Sequence, residues 1–326
     1  MSETGKSALL SQPGGKTPPT GLAQIPGESL LHRVGNTPLF RLQRIGREFQ
    51  NVQLLAKAEW YNPGGSVKDR AAFNIVREAL RSGKLEGKQL LDSTSGNTGI
   101  AYAMIGAAMG FGVTLCMPSN VSTERKRILN AYGASIIYTD PGEGSDGAIR
   151  KAREIAAASP DRFHYVDQYS NEANWRAHYE TTANEIWEQT SGQVTHFVAM
   201  LGTSGTFIGT SRRLKELNPK IRCISLQPDS PFHGIEGAKH MASAIVPEIY
   251  DPKVADEDLP VPSEASYAMV KQLARQEGML VGISGGAAVV GCLQVARQLP
   301  ASAPAVIVTV FPDNGDKYLS ERFWDE

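Results

Sequence analysis

Cysteine is scarce in this chain. Cys116, Cys223 and Cys292 lie far apart, each in an apolar run, among 326 residues. With no CxxC pair, the spacing of a zinc site or a disulfide framework is missing, and buried reduced thiols of a cytosolic protein are expected. Excess charge of one sign is also missing. The 33 Lys and Arg against 34 Asp and Glu leave a formal net charge of -1. No broad field draws nucleic acid or an anionic membrane, so the expected partner is a small molecule. No stretch reaches the roughly 20 apolar residues that span a bilayer. The opening MSETGKSALLSQPGGKTPPTG lacks the continuous apolar core of a signal peptide. Its Ser, Thr, Gly and Pro predict a flexible tail over residues 1–25. The histidines (His32, His164, His178, His196, His233, His240) form neither HxH nor HExxH, so no metal is expected.

The composition, 41% hydrophobic and 21% charged, is that of a globular protein, and the length suits two domains or one large α/β unit. Short apolar runs predict strands at Gln53–Lys57, Gln89–Asp92, Val113–Met117, Ser135–Tyr138, Phe163–Val166, His196–Met200, Arg222–Gln227 and Ala305–Phe311. Consecutive apolar positions, as in VIVTVF, suit strands buried on both faces. Helical patterns fall at Val67–Ser82, Ser122–Tyr132, Ala173–Gln189, Thr206–Leu217, Ala265–Glu277 and Gly286–Leu299, with another in IAYAMIGAAMG. The alternation predicts parallel sheets covered by helices, with ligands bound where strands run into helices. Residues 228–263, rich in Pro, Asp and Gly, form a connector long enough to be a lid.

Four segments at such junctions stand out. Asn62–Arg70 reads NPGGSVKDR. A tight turn there places Lys68 in the first turn of a helix, where the dipole disfavours a cation. A covalent bond to a carbonyl or a phosphate partner would relieve the conflict; a solvated lysine paired with Asp69 is the plainer alternative. Ser93–Gly99, STSGNTG, sets hydroxyls, an amide and glycines at a helix N-terminus. It suits a carboxylate or phosphate, or is simply a well-capped turn. Gly202–Thr206, GTSGT, suits a phosphate dianion and matches neither GxGxxG nor a Walker loop. In Gly282–Gly286, GISGG, Ser284 faces a ligand or caps its helix.

In this order, following VGNTPL at Val34–Leu39 and preceding PDNGDKYLS, these segments resemble the fold-type-II pyridoxal-phosphate enzymes, within them the cysteine synthases. MPSNVSTERKRILNAYGA and EIWEQTSGQVTHFVAMLGTSGT look closest to the B type. The resemblance covers roughly Leu30 to the end. It implies a tryptophan-synthase-β-like α/β fold with twisted, mostly parallel sheets flanked by helices. A smaller domain would span 59–170, and a larger cofactor domain 27–58 with 171–326. Lys68 would bind pyridoxal 5'-phosphate covalently and move the substrate's Cα proton. Asn97 would meet the ring hydroxyl oxygen, Gly202, Thr203, Ser204, Gly205 and Thr206 the phosphate, and Ser284 the ring nitrogen. Thr94, Ser95, Asn97 and Gln168 would bind the substrate carboxylate. Ser204 stands where Gly or Thr is usual, and Gly285 where Ser or Thr is usual. The implied reaction is β-replacement making L-cysteine from O-acetylserine or O-phosphoserine and a sulfur donor: sulfide, thiosulfate or a sulfur-carrier protein. The implied state is a cytoplasmic homodimer. The rival readings are a cystathionine β-synthase, a serine/threonine dehydratase or a non-catalytic protein of the same fold.

Overall fold

A computed structural model describes residues 28–94 and 96–325. The predicted tail over 1–25 and Ser95 lie outside the described residues. In chain order the elements are β1 (Leu39–Arg41), β2 (Val52–Ala58), α1 (Lys68–Arg81), β3 (Gln89–Ser93), α2 (Asn97–Met109), β4 (Val113–Pro118), α3 (Thr123–Ala131), β5 (Ser135–Thr139), α4 (Gly144–Ala158) and β6 (Phe163–Tyr165). There follow α5 (Glu172–Ala177), α6 (Ala183–Gln189), β7 (His196–Met200), α7 (Gly205–Leu217), β8 (Arg222–Pro228), β9 (Glu257–Val261), α8 (Ser263–Gln272), α9 (Ile283–Gln298) and β10 (Ala305–Phe311).

Two sheets result. One has four parallel strands in the order β5-β4-β3-β6. The other has six in the order β1-β2-β10-β7-β8-β9, all parallel except the β1–β2 pair. Helices on both faces explain why β4 is buried at every position and why β10 is apolar at every position but Thr309. Helix α2 shows no apolar stripe because it is buried almost all round, from Thr98 to Gly106. By contrast α3 begins on Ser122, whose hydroxyl accepts the Arg125 N–H at 3.4 Å. It ends before Gly133, which takes φ +78°.

Four expectations need correction. Ala173–Gln189 is not one helix: His178–Thr182 runs as a π turn between α5 and α6. Ala265–Glu277 is likewise not one α-helix: α8 stops at Gln272 and Leu273–Glu277 is a π turn. Residues 228–263 contain β9, which pairs with β8 from Ile224 to Pro228. Ser284 does not cap α9; the N-cap is Gly282, with no side-chain cap bond. In addition α4 and β1 were not foreseen.

Candidate active site

The carboxyl ends of β3, β7 and β10 converge on a cavity of about 360 Å³. At one side the chain reverses through Asn62–Gly65, where the Gly65 N–H donates to the Asn62 carbonyl at 2.8 Å and Gly65 takes φ +77°. That turn delivers Lys68 as the first residue of α1, its backbone N–H donating to Ser66 Oγ at 3.3 Å. Two residues on, the Arg70 guanidinium meets Glu59 at 2.7 Å and Glu185 at 2.6 Å, and Lys57 meets Glu185 at 2.6 Å. Removing one partner of such a buried network costs about 3–5 kcal/mol, so the start of α1 is held firmly.

The Lys68 side chain opens onto the cavity but is otherwise surrounded by protein. Among the described residues its Nζ has neither ion-pair nor hydrogen-bond partner. Burial lowers its pKa from the usual ammonium value, opposed by the carboxylates of Asp313 and Glu59. The plainer alternative of an Asp69 pair is absent: Asp69 instead accepts the Gly64 N–H, and burial raises its carboxyl to about 7.

Across the cavity the turn after β3 is shaped by Thr94, whose hydroxyl accepts the N–H groups of Gly96 (3.1 Å) and Gly99 (3.2 Å). Gln168 braces this turn: its Nε2 donates to the Ser93 carbonyl at 2.7 Å and its Oε1 accepts from Thr98 at 2.8 Å. Asn97 Nδ2 donates to Asp313 at 2.8 Å, and its Oδ1 accepts from Lys317 at 3.1 Å. Tyr318 also donates to Asp313, at 2.8 Å. Burial raises the Asp313 pKa, opposed by Lys317 and by the bonds from Asn97 and Tyr318. A Cβ on Gly282 would lie 2.0 Å from Asp313 Oδ1, so only glycine fits there.

On the far wall the 202–206 turn runs into α7. Ser204 sits in the left-handed region at φ +70°, is 3% exposed, and its hydroxyl has no partner among the described residues. A Cβ on Gly202 would come within 2.3 Å of the Gly237 carbonyl, and one on Gly205 within 2.0 Å of Asn174 Oδ1. Asn174 is itself committed, donating to the Gln168 carbonyl at 2.7 Å and to Thr203 Oγ1 at 3.1 Å. Ser284 lies in the first turn of α9 and faces the cavity.

The mouth is bridged twice by the connector after β8. Glu236 pairs with Arg125 at 2.5 Å, and Lys239 with Asp146 at 3.2 Å. The Asp146 carboxylate also accepts the Ile245 N–H at 3.0 Å.

Lys68, Thr94, Asn97, Gln168, Gly202, Thr203, Ser204, Thr206 and Ser284 therefore line one cavity, while Gly205 packs behind its wall on Asn174. Sequence reasoning missed Asn174, Asp313, Lys317, Tyr318, Arg125 and Glu236. Asp313, Lys317 and Tyr318 fell in PDNGDKYLS, Arg125 in MPSNVSTERKRILNAYGA and Glu236 in the 228–263 connector, but none of them was given a role.

The residues present fit pyridoxal phosphate. The orphaned Ser204 hydroxyl and the glycine backbone lie at the positive end of a 13-residue helix, which suits a phosphate dianion. A lysine of lowered pKa in the same cavity suits an aldehyde. Among the described residues no group of three or more His, Cys, Asp or Glu is placed to hold a metal ion. None of the described helices is long and apolar enough to cross a membrane.

A family model described as pyridoxal-phosphate dependent enzyme matches residues 30–313. The cysteine synthase of Aquifex aeolicus is 50% identical over 303 residues, covering 92% of this chain and 93% of that protein. Cysteine synthase B of Pseudomonas aeruginosa is 42% identical, covering 90% and 96%. Among solved structures, a cysteine synthase from Entamoeba histolytica superposes with a TM-score of 0.85 at 34% identity, covering 97% of this chain and 94% of that one.

Proposed function

From the premise that the chain belongs to the pyridoxal-phosphate-dependent enzyme family, we propose that it makes L-cysteine from O-acetyl-L-serine and sulfide by β-replacement. The observation that carries this reading is one cavity joining a buried lysine of lowered pKa, Thr94 and Asn97 at the start of α2, and the glycine and hydroxyl turn at the start of α7. Pyridoxal phosphate, when bound, supplies the electron sink that acidifies the substrate Cα–H and lets the β-substituent leave.

Each remaining task falls to the chain. Lys68 would hold the cofactor through Nζ and, as a free amine, would take the substrate's Cα proton and later return it. Its lowered pKa keeps more of the amine neutral near pH 7, as a base requires. Backbone N–H groups at the start of α2, with Thr94, Ser95, Asn97 and Gln168, hold the carboxylate. The bonds of Gln168 to Ser93 and Thr98 make it chiefly a brace for that turn. Ser284 offers the ring nitrogen a neutral hydroxyl at the positive end of α9, which favours an unprotonated ring. Such a ring suits elimination and replacement better than transamination. The connector after β8 closes the mouth and excludes water.

The mouth also bears on the leaving group. Two further cations line the cavity, Arg125 and Lys239, and both are paired with carboxylates. Burial lowers the His233 pKa, which keeps that ring neutral. A doubly charged phosphoryl group would meet no free cation from this set, so the uncharged acetyl ester is the better substrate. A smaller domain over 59–170, a homodimer and a cytoplasmic location are parts of the same reading; sedimentation of the holoenzyme tests the dimer.

The test is a substrate panel with the purified holoenzyme. Cysteine should form fastest from O-acetylserine and sulfide, slower from O-phosphoserine, and cystathionine from serine and homocysteine slowest. Lys68→Ala should lose the covalent cofactor band and about 10²–10⁴-fold in rate, as expected for a lost general base. A Lys68→Ala variant that kept both would refute the assignment.

A further inference from the structure

His178 is fully enclosed, 1% exposed, and lies between two hydroxyls. Its Nδ1 is 2.9 Å from Thr182 Oγ1 and its Nε2 is 3.2 Å from Thr206 Oγ1. The ring sits where the unforeseen π turn begins, and α7 packs directly on this stretch. At Gly209 the approach is so close that a Cβ would lie 1.9 Å from the Trp175 carbonyl and 2.9 Å from the Tyr179 N–H. The separation of ring and Thr206 is thus set by backbone packing. π turns of this kind cluster at functional sites.

Which nitrogen carries the proton follows from the partners. The buried Thr182 hydroxyl has His178 as its one hydrogen-bond partner among the described residues. If Nδ1 were the donor, the Thr182 hydrogen would be left without an acceptor, at a cost of about 1–3 kcal/mol. Thr182 therefore donates to Nδ1, and Nε2 carries the hydrogen and donates to Thr206 Oγ1. With its oxygen occupied as an acceptor, the Thr206 hydroxyl turns its hydrogen into the cavity. A phosphate accepts only, so this is the polarity it needs.

Resting on the reading that the 202–206 turn holds the cofactor phosphate, we propose that His178 is a positioning residue, set by Thr182, that fixes the Thr206 hydroxyl as a donor to that phosphate. The ring acts as a neutral group. Burial, with the Arg70 and Lys68 cations and against the Glu185 carboxylate, holds its pKa well below the ordinary histidine value.

The test titrates the full-length protein, freed of cofactor, with pyridoxal phosphate and with pyridoxal as a phosphate-free probe. Losing one oriented donor to a dianion should weaken pyridoxal phosphate roughly tenfold in His178→Phe and in Thr206→Val. Pyridoxal should bind both variants as it binds the parent. The double variant should be no weaker than Thr206→Val alone, because the two act as one unit. His178→Gln, whose amide N–H replaces Nε2–H, should recover most of the affinity and return the bound phosphorus resonance to its parental position. Equal weakening of both ligands, or additive losses in the double variant, overturns the proposal. Full phosphate affinity in Thr206→Val would instead strike the phosphate reading itself. Should His178→Phe fail to fold, the isosteric Thr182→Val carries the test: it should weaken only the phosphorylated ligand, severalfold, and no change would refute the relay.

Discussion

A methyl group at position 205 gives the most direct test of how the site is held. In Gly205→Ala the new Cβ meets Asn174 Oδ1 at 2.0 Å and Cγ at 2.7 Å. Asn174 is 2% exposed, so its side chain moves only against packed neighbours. Its displacement forfeits the bonds to the Gln168 carbonyl and to Thr203, at about 1 kcal/mol each. Overpacking adds about 1–3 kcal/mol, and the helix propensity of alanine returns up to about 1 kcal/mol. The sum is a loss of about 2–5 kcal/mol, read from the urea midpoint of the cofactor-free protein. Asn174→Ala alone should cost about 2 kcal/mol through the same two bonds. It also removes the three atoms nearest the new methyl, Oδ1, Cγ and Nδ2 of Asn174. The double variant should therefore be no less stable than Asn174→Ala, a coupling of about 2 kcal/mol or more. Pyridoxal phosphate affinity should follow the same pattern, because Asn174 ties the carboxylate side of the cavity to the phosphate side. Additive losses would mean that Gly205 is required for another reason and would defeat this account.

Ser204→Gly should relieve the left-handed strain, stabilising the cofactor-free protein by about 1 kcal/mol in thermal unfolding, while weakening the phosphorylated cofactor through the lost hydroxyl. Asp92 lies wholly buried beneath the 94–97 turn, and burial raises its carboxyl to about 8 despite bonds from the Ser93 and Gln168 N–H groups. A carboxyl raised in the fold binds more protons folded than unfolded, so its contribution is full below about pH 4 and lost as pH rises through about 8. Asp92→Asn should flatten the stability profile between those limits in urea melts; an unchanged slope would show that another group titrates there. Glu236→Gln releases Arg125 from its carboxylate, so the kcat/KM of O-phosphoserine relative to O-acetylserine should rise roughly tenfold, about the effect of one charge-assisted bond. A fall in the ratio would show that Glu236 does not set leaving-group preference.

Features written in neighbouring residues were legible in the sequence. Parallel strands buried on both faces announce themselves as apolar runs, so His196–Met200 and Ala305–Phe311 were found to the residue. Strand-to-helix turns announce themselves by glycine and hydroxyls, and the cavity gathers residues from all four that were noticed. Strand β9, EDLPV, escaped because it sits at a sheet edge with alternating burial and carries a proline there. The π turn escaped because one extra residue per turn leaves the apolar pattern of α5 and α6 almost unchanged. The bracing residues were hidden for a different reason. Asn97 reaches Asp313 across 216 positions, and Arg125 reaches Glu236 across the mouth. Nothing beside either partner in the chain signals the other. His178 joins both failures: its π turn was read as plain helix, and its partner Thr206 lies 28 residues on, in another helix. Local chemistry could name the groups that would face a ligand, but the groups that aim them become visible only when the chain closes on itself. In this site those aiming contacts, Asn174 to Thr203, Asp313 to Asn97 and His178 to Thr206, all reach side chains the sequence had already singled out.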